Sequence, residues 1–153
     1  MAQTVDNSPV GDLRLDRYLG NWYEIARMDH GFEKGISHAM ACYTLMEDGS
    51  IMVVNSGIKN GRLKISKGKA KLTDTTGLLR VSFFGPFYSD YRVLMLDDDY
   101  GYALVGSKKD KYLWILSREP EMDDIQLCNV LCEARSRGYR TDELLWVEHG
   151  PAN

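Results

Sequence analysis

The chain has 153 residues, long enough for one domain with a sizeable core. Its composition, 44% hydrophobic and 27% charged, is that of an ordinary soluble globular protein. The mild formal net charge of -3 gives no sign of a nucleic-acid surface, and no apolar run reaches the roughly 18 residues of a membrane-spanning helix.

Residues 1–10 read as a flexible polar tail and 11–153 as a single domain. Met1 to Pro9 lacks a basic patch followed by an apolar stretch, so no signal peptide is visible. Gly11 to Tyr18 reads as a turn or a single helical turn. Strand-like segments bounded by turn signals then follow: Trp22 to Met28, His38 to Met46, Ile51 to Ile58, Arg62 to Leu72 with a kink at Gly68, Leu78 to Phe84, Asp90 to Leu96, Tyr100 to Gly106 and Lys111 to Ser117. Glu47-Asp48-Gly49 and Lys59-Asn60-Gly61 are hairpin turns, Asn-Gly being the stronger signal. Glu121 to Tyr139 has helical spacing, opened by Pro120 and closed by Gly138, with Leu127, Val130, Leu131 and Ala134 in one stripe. A short last strand runs from Leu144 to Val147.

Eight hairpin-joined strands and one helix predict an all-β fold, an eight-stranded up-and-down antiparallel β-barrel with one C-terminal α-helix packed outside. About eight strands leave room for one small ligand. A two-sheet sandwich is the rival, but no long crossover interrupts the eight strands. The nine Tyr, three Trp and four Phe suit a core or a pocket. Cys42, Cys128 and Cys132 are odd in number and read as reduced, because Cys128 and Cys132 four apart on a helix are too far for a disulfide. Nothing in the sequence calls for a metal or a cofactor.

Gly20-Asn21-Trp22 before the first strand resembles the first motif of the lipocalin family, Gly-x-Trp. Asp97-Asp98-Asp99-Tyr100 loosely matches the second, Thr-Asp-Tyr, without the Thr and with one extra residue. Arg118 after Trp114-Ile115-Leu116-Ser117 matches the third. The stretches Trp22 to Arg27, Val81 to Tyr88, Ala103 to Val105 and Tyr112 to Arg118 bring the chain nearest to the outer-membrane-lipoprotein type of bacterial lipocalin, with plant temperature-induced lipocalins and apolipoprotein D. The resemblance implies a calycin barrel that binds, stores or transports a fatty acid or lysophospholipid without catalysis. It also implies a place in the bacterial cell envelope, periplasmic and outer-membrane associated, although no lipidation Cys lies near the start. Two partners besides the ligand stay open under it: a membrane surface met peripherally, and a second copy in a homodimer.

Strand direction tests the resemblance. The first strand begins at Trp22 and the eighth ends near Arg118, so both lie at one end of a closed barrel, and Arg118 can lie on the Trp22 ring. Gly20, Trp22, Asp97, Tyr100 and Arg118 therefore read as a structural base. Alternation then turns Glu24, Ala26 and Met28 inward, with Glu24 held by Arg118 or a tyrosine. It also turns in Leu79, Val81 and Phe83, then Tyr91, Val93 and Met95, then Tyr112, Trp114 and Leu116, together with Tyr43 and Val53 or Asn55. The loop Asp29 to Ser37 is expected as a lid, Phe84, Phe87 and Tyr88 as an aromatic rim, and Lys59, Arg62, Lys108, Lys109 and Lys111 as a partly basic mouth. The candidate ligand-binding set is Tyr43, Asn55, Phe83, Phe84, Phe87, Tyr91, Tyr112, Trp114 and Leu116. Two alternatives remain: a rigid ring ligand (haem, a retinoid or a bilin), and a thiol-dependent lipid isomerase using Cys42. His30, His38 and His149 read as solvated, and Ile125, Cys128 and Cys132 as a second helix flank, against the barrel or a partner.

Overall fold

Each strand pairs with an antiparallel neighbour. The computed structural model describes residues 5–29 and 33–150, the Phe84 side chain excepted. β1 (Gly20–Met28), β2 (Ser37–Leu45), β3 (Ile51–Lys59), β4 (Arg62–Leu72), β5 (Leu78–Phe84), β6 (Phe87–Leu96), β7 (Tyr102–Gly106) and β8 (Leu113–Ser117) pair in sequence order, and β1 closes the sheet against both β2 and β8. The result is a closed eight-strand antiparallel barrel. Asn60 and Gly61, both at positive φ, make the two-residue turn whose twist matches the flanking strands. β6 begins at Phe87 rather than at the expected Asp90, so only Gly85 and Pro86 separate it from β5.

The barrel does not close evenly. β1 pairs with β2 only from Gly20↔Tyr43 to Tyr23↔Met40. Beyond Tyr23 that edge takes a ninth strand, β9 (Leu144–Trp146). The backbone continues the bridge: Val147 N donates to Ile25 O at 2.9 Å and His38 N to Glu148 O at 2.8 Å. The C-terminal segment thus fills the gap between the upper halves of β1 and β2. On the opposite side, β4 pairs with β5 only from Lys69↔Ser82 to Leu72↔Leu79, while its pairing with β3 runs the full length. Residues 62–67 of β4 are accordingly exposed on both faces.

Two apolar layers share the sheet. The inner one fills the barrel from Trp22, Tyr43, Val53, Ala70, Leu79, Val93, Val105 and Leu116. The outer one lies under α2 (Asp124–Ser136) and holds Ala26, Met28, Leu94, Leu104, Ile115, Val130 and Ala134. The α2 stripe packs here as expected, with Leu127 and Leu131 at its margin. Asp123 caps the helix by accepting from Gln126 N at 2.8 Å while its own N–H donates to the Gln126 side chain at 3.3 Å. Ile125, Cys128 and Cys132 are exposed, so that flank is not barrel contact.

Two bulges shift faces. β1 and β8 lose register between Glu24 and Ala26, and β6 and β7 between Val93 and Met95. Each extra residue reverses the alternation beyond it. Ala26, Met28 and Met95, expected inside, therefore pack in the outer layer, and Arg27 turns inward. Gly68 marks a close approach: a Cβ there would stand 2.6 Å from the Phe83 ring and from Ser82 O.

The tail expected to be flexible is anchored wherever it is described. Asp6 N donates to Arg137 O and Val10 N to Val93 O, both at 2.8 Å. The Arg137 guanidinium donates to Asp6 O and Ser8 O, and Arg92 to Asn7 O. Residues 5–10 strap the helix end to β6.

Candidate binding site

α1 (Leu15–Tyr18) folds under one end of the barrel, and its Tyr18 side chain enters the inner layer. Trp22, 0% exposed, donates through Nε1 to Tyr18 O at 2.8 Å and packs 5.0 Å from the Tyr18 ring. The Arg118 guanidinium carbon lies 3.8 Å from the centroid of Trp22. Its N–H groups donate to Arg17 O and Asn21 O at 2.8 Å and to Tyr18 O and Tyr100 O at 3.2 Å. One planar fork thus ties α1, β1, β8 and the turn between β6 and β7. Asp97 Oδ2 accepts from Gly101 N at 3.0 Å, and Tyr100 takes the left-handed conformation that the turn needs. Gly20 sits at φ +98, a conformation that strains other residues, with Arg118 Nη1 3.5 Å from where a Cβ would be. This end is closed.

Above it, three tyrosines converge inside the barrel. The Tyr91 hydroxyl shares a hydrogen bond with Tyr18 at 2.6 Å and another with Tyr43 at 2.9 Å. Burial pushes all three phenols up, so they stay neutral through the physiological range. A small cavity lined by Leu15, Tyr18, Tyr43, Ile51, Ala70, Leu79, Val81 and Tyr91 lies beside them, with a volume of about 10 Å³, room for little more than one water molecule. Its walls are apolar and its polar atoms are phenolic.

Toward the open end the interior carries charge. The bulge in β1 drives Arg27 inward, where it is only 1% exposed. Its Nη1 lies 3.2 Å from Glu24 Oε1 and 3.9 Å from Glu33 Oε2, while Nη2 donates to Glu33 O at 2.6 Å and Ile36 O at 3.1 Å. Trp114 Nε1 donates to Glu33 Oε1 at 2.9 Å. The loop between β1 and β2 is thereby fastened into the barrel by one arginine and one indole. Arg27 Nε is buried without a hydrogen-bond partner among the described residues. Glu24 pairs with Arg27 rather than with Arg118 or a tyrosine. Burial, reinforced by the hydrogen bond and the charge of Glu33, pushes the Glu24 carboxyl well above the usual carboxylate range, against the pull of Arg27.

This has a pH signature. A raised folded-state pKa means that the native protein keeps a proton which the unfolded chain releases. Glu24 therefore contributes most below the unfolded carboxylate pKa of about 4.3, and its contribution is lost as pH rises toward the folded value. Glu24→Gln should flatten this dependence. Urea unfolding should show wild-type stability falling relative to the variant as pH rises above the unfolded carboxylate pKa of about 4.3, by no more than about 1.4 kcal/mol per pH unit.

The other residues of interest fall in three places. Tyr43, Phe83, Tyr91, Trp114 and Leu116 belong to the inner layer. Tyr112, just before β8, stacks on Trp114 with centroids 6.1 Å apart. Asn55 shares the face of Val53, since the β3–β4 register is unbroken, yet it is exposed where the barrel widens. Phe87 is 76% exposed at the turn between β5 and β6; the Phe84 side chain lies outside the described residues. Cys42 pairs with Val54 on the outer face of β2, neighbouring the inward Tyr43.

The histidines are not simply solvated. His38 Nε2 meets Gly150 O at 2.5 Å, and His149 Nε2 meets Glu24 O at 2.6 Å, so both fasten the C-terminal bridge. His30 lies outside the described residues. Sequence reasoning missed Arg27, Glu33 and Tyr18. A lone Arg among Ile25, Ala26 and Met28 was the available signal for the first.

A closed base, a narrow apolar interior with phenolic and guanidinium groups, and a fastened loop at the other end define a binding barrel. The chain belongs to the lipocalin family: residues 13–149 match the model of the Lipocalin-like domain. Lipocalins bind small hydrophobic ligands and are generally not catalysts. The chain is 43% identical over 145 residues to outer membrane lipoprotein Blc of Vibrio cholerae, covering 92% of this chain and 85% of that one. It is 34% identical over 155 residues to temperature-induced lipocalin-1 of Arabidopsis thaliana, covering 94% and 83%. In fold it is similar to insecticyanin from the tobacco hornworm Manduca sexta, with a TM-score of 0.79 and 23% identity, covering 97% of this chain and 87% of that one.

Proposed function

We propose that this barrel stores or carries a fatty acid or a lysophospholipid without catalysis, its acyl chain among the tyrosines and its anionic group at Arg27. The observation that carries the reading is a buried guanidinium inside the barrel with an unpartnered Nε and a carboxylate, Glu33, delivered to it by a loop. An entering carboxylate or phosphate can replace the Glu33 side chain at Arg27 and at Trp114 Nε1, leaving the local charge balanced. Ligand pockets usually enclose about 300–1,000 Å³, so the small cavity grows by withdrawal of the Glu33 loop. Tyr43, Phe83, Tyr91, Trp114 and Leu116 line the path, with Asn55, Phe84, Phe87 and Tyr112 nearer the mouth. Each buried CH₂ contributes up to about 0.8 kcal/mol.

A flexible chain suits a space narrowed by three rings better than a rigid haem, retinoid or bilin. An isomerase reading centred on Cys42 is disfavoured because that residue lies on the outer face of β2. The names of the Blc relatives place those proteins in the outer membrane, and we extend a cell-envelope location to this chain.

Titration with palmitate and with a palmitoyl lysophospholipid tests this, read by tryptophan emission with Trp114→Phe as control, alongside native mass spectrometry of the purified protein. Saturable emission change and a co-purifying acyl lipid are expected. No binding of either amphiphile would sink the reading, and a visible absorbance band would favour the ring ligand.

A further inference from the structure

Charge is not scattered over residues 51–72. This segment, β3 through β4, holds six of the chain's 19 Lys and Arg residues (Lys59, Arg62, Lys64, Lys67, Lys69 and Lys71) and none of its 22 Asp and Glu residues. Lys69 meets Asp48 at 3.6 Å and Lys71 lies over the Tyr88 ring. Lys59, Arg62, Lys64 and Lys67 make no ion pair with another described residue. The free half of the hairpin also exposes Leu63 at 67% and Ile65 at 57%.

Register sorts these groups. Ile58 pairs with Leu63, and Ile65 follows two positions on, giving an apolar outer face at the tip. Lys59 pairs with Arg62, and Lys64 follows, giving a cationic face toward the mouth. Lysines alone can guard an open strand edge against aggregation, but that role does not explain large apolar side chains left in water beside them. Apolar side chains ringed by unpaired cations match the chemistry of an anionic membrane interface, where hydrocarbon sinks to headgroup depth and cations meet phosphates.

We infer that the tip of the β3–β4 hairpin docks this protein on an anionic bilayer, presenting the barrel mouth to the lipid surface. The inference goes beyond the proposed ligand, and it does not require that the interior hold an amphiphile.

Sedimentation of the full chain with phosphatidylcholine vesicles, with or without one third phosphatidylglycerol, tests it. The protein should partition onto the anionic vesicles only, and added salt should release it. Each cation near such a surface is worth about fivefold, so Lys64→Glu with Lys67→Glu should lower partitioning at least about tenfold. Leu63→Ser with Ile65→Ser should also weaken it, while both variants keep the palmitate titration of the parent. Vesicle docking without palmitate binding would leave this inference standing and remove the proposed ligand. Equal partitioning on neutral vesicles, or no loss in either variant, overturns the docking role. So does a dimer in solution that Leu63→Ser with Ile65→Ser disperses while anionic vesicles bind nothing, since the face then covers a second copy.

Discussion

Replacing Trp22 with alanine should cost about 3–5 kcal/mol of unfolding free energy, the range for a large aromatic removed from a packed core. Domains of this kind have only about 5–15 kcal/mol in total. The side chain is fully buried, and two neighbours depend on it. Tyr18 loses its ring contact, Tyr18 O loses one of its donors, and Arg118 loses the surface under its guanidinium. Arg118→Lys should also destabilise, because an ammonium cannot reach four carbonyl oxygens with one rigid fork. A double-mutant cycle between Trp22→Ala and Arg118→Ala should return a coupling of about 0.5–2 kcal/mol for the ring–cation contact. Urea midpoints with unchanged slope would read these losses. A Trp22→Ala protein within about 1 kcal/mol of the parent would show that the base does not hold the barrel closed.

Arg27→Met should weaken palmitate binding at least about tenfold and leave the methyl ester of the same chain almost unchanged. A hydrogen bond to a charged group contributes about 1.5–3 kcal/mol, and about 1.4 kcal/mol is tenfold in affinity. The ester keeps the hydrocarbon and lacks the anion, so the ratio of the two affinities isolates the guanidinium. Removing one partner of a buried ion pair strands the other at a cost of about 3–5 kcal/mol, and Glu24 and Glu33 both face Arg27. Arg27→Lys is therefore the companion variant. It keeps the charge but cannot hold Glu33 O and Ile36 O with one fork. If palmitate and its ester lose affinity equally in both variants, Arg27 acts on the loop and not on the ligand.

Turn chemistry and strand direction carried the architecture. Asn60-Gly61 marks its hairpin locally, and counting strands brings Trp22 and Arg118 to one end without knowledge of any contact. The interior was harder to read because β1 and β6 are apolar on both faces, one toward the barrel and one toward α2. Alternation is informative only where one face meets water. Ile25 and Ala26 look the same to hydropathy whether or not a bulge separates them. A two-residue parity rule therefore sent Ala26 and Met28 inward and left Arg27 outside. Glu33 was unreadable for a different reason: its role depends on a loop folding back onto Trp114, a contact 81 residues apart in sequence. The C-terminal bridge through His38 and His149 is likewise made by long-range backbone contacts that no local pattern announces.

The central claim is that an anionic amphiphile lies inside this barrel with its head group at Arg27. A crystal structure of the protein with bound palmitate tests it most directly. The account predicts the carboxylate within hydrogen-bond distance of the Arg27 guanidinium and Trp114 Nε1, the Glu33 side chain displaced, and the acyl chain running toward Tyr43 and Tyr91. Palmitate bound with Glu33 still in place, its carboxylate at the mouth lysines or the whole chain on the outer face of the barrel, would contradict it.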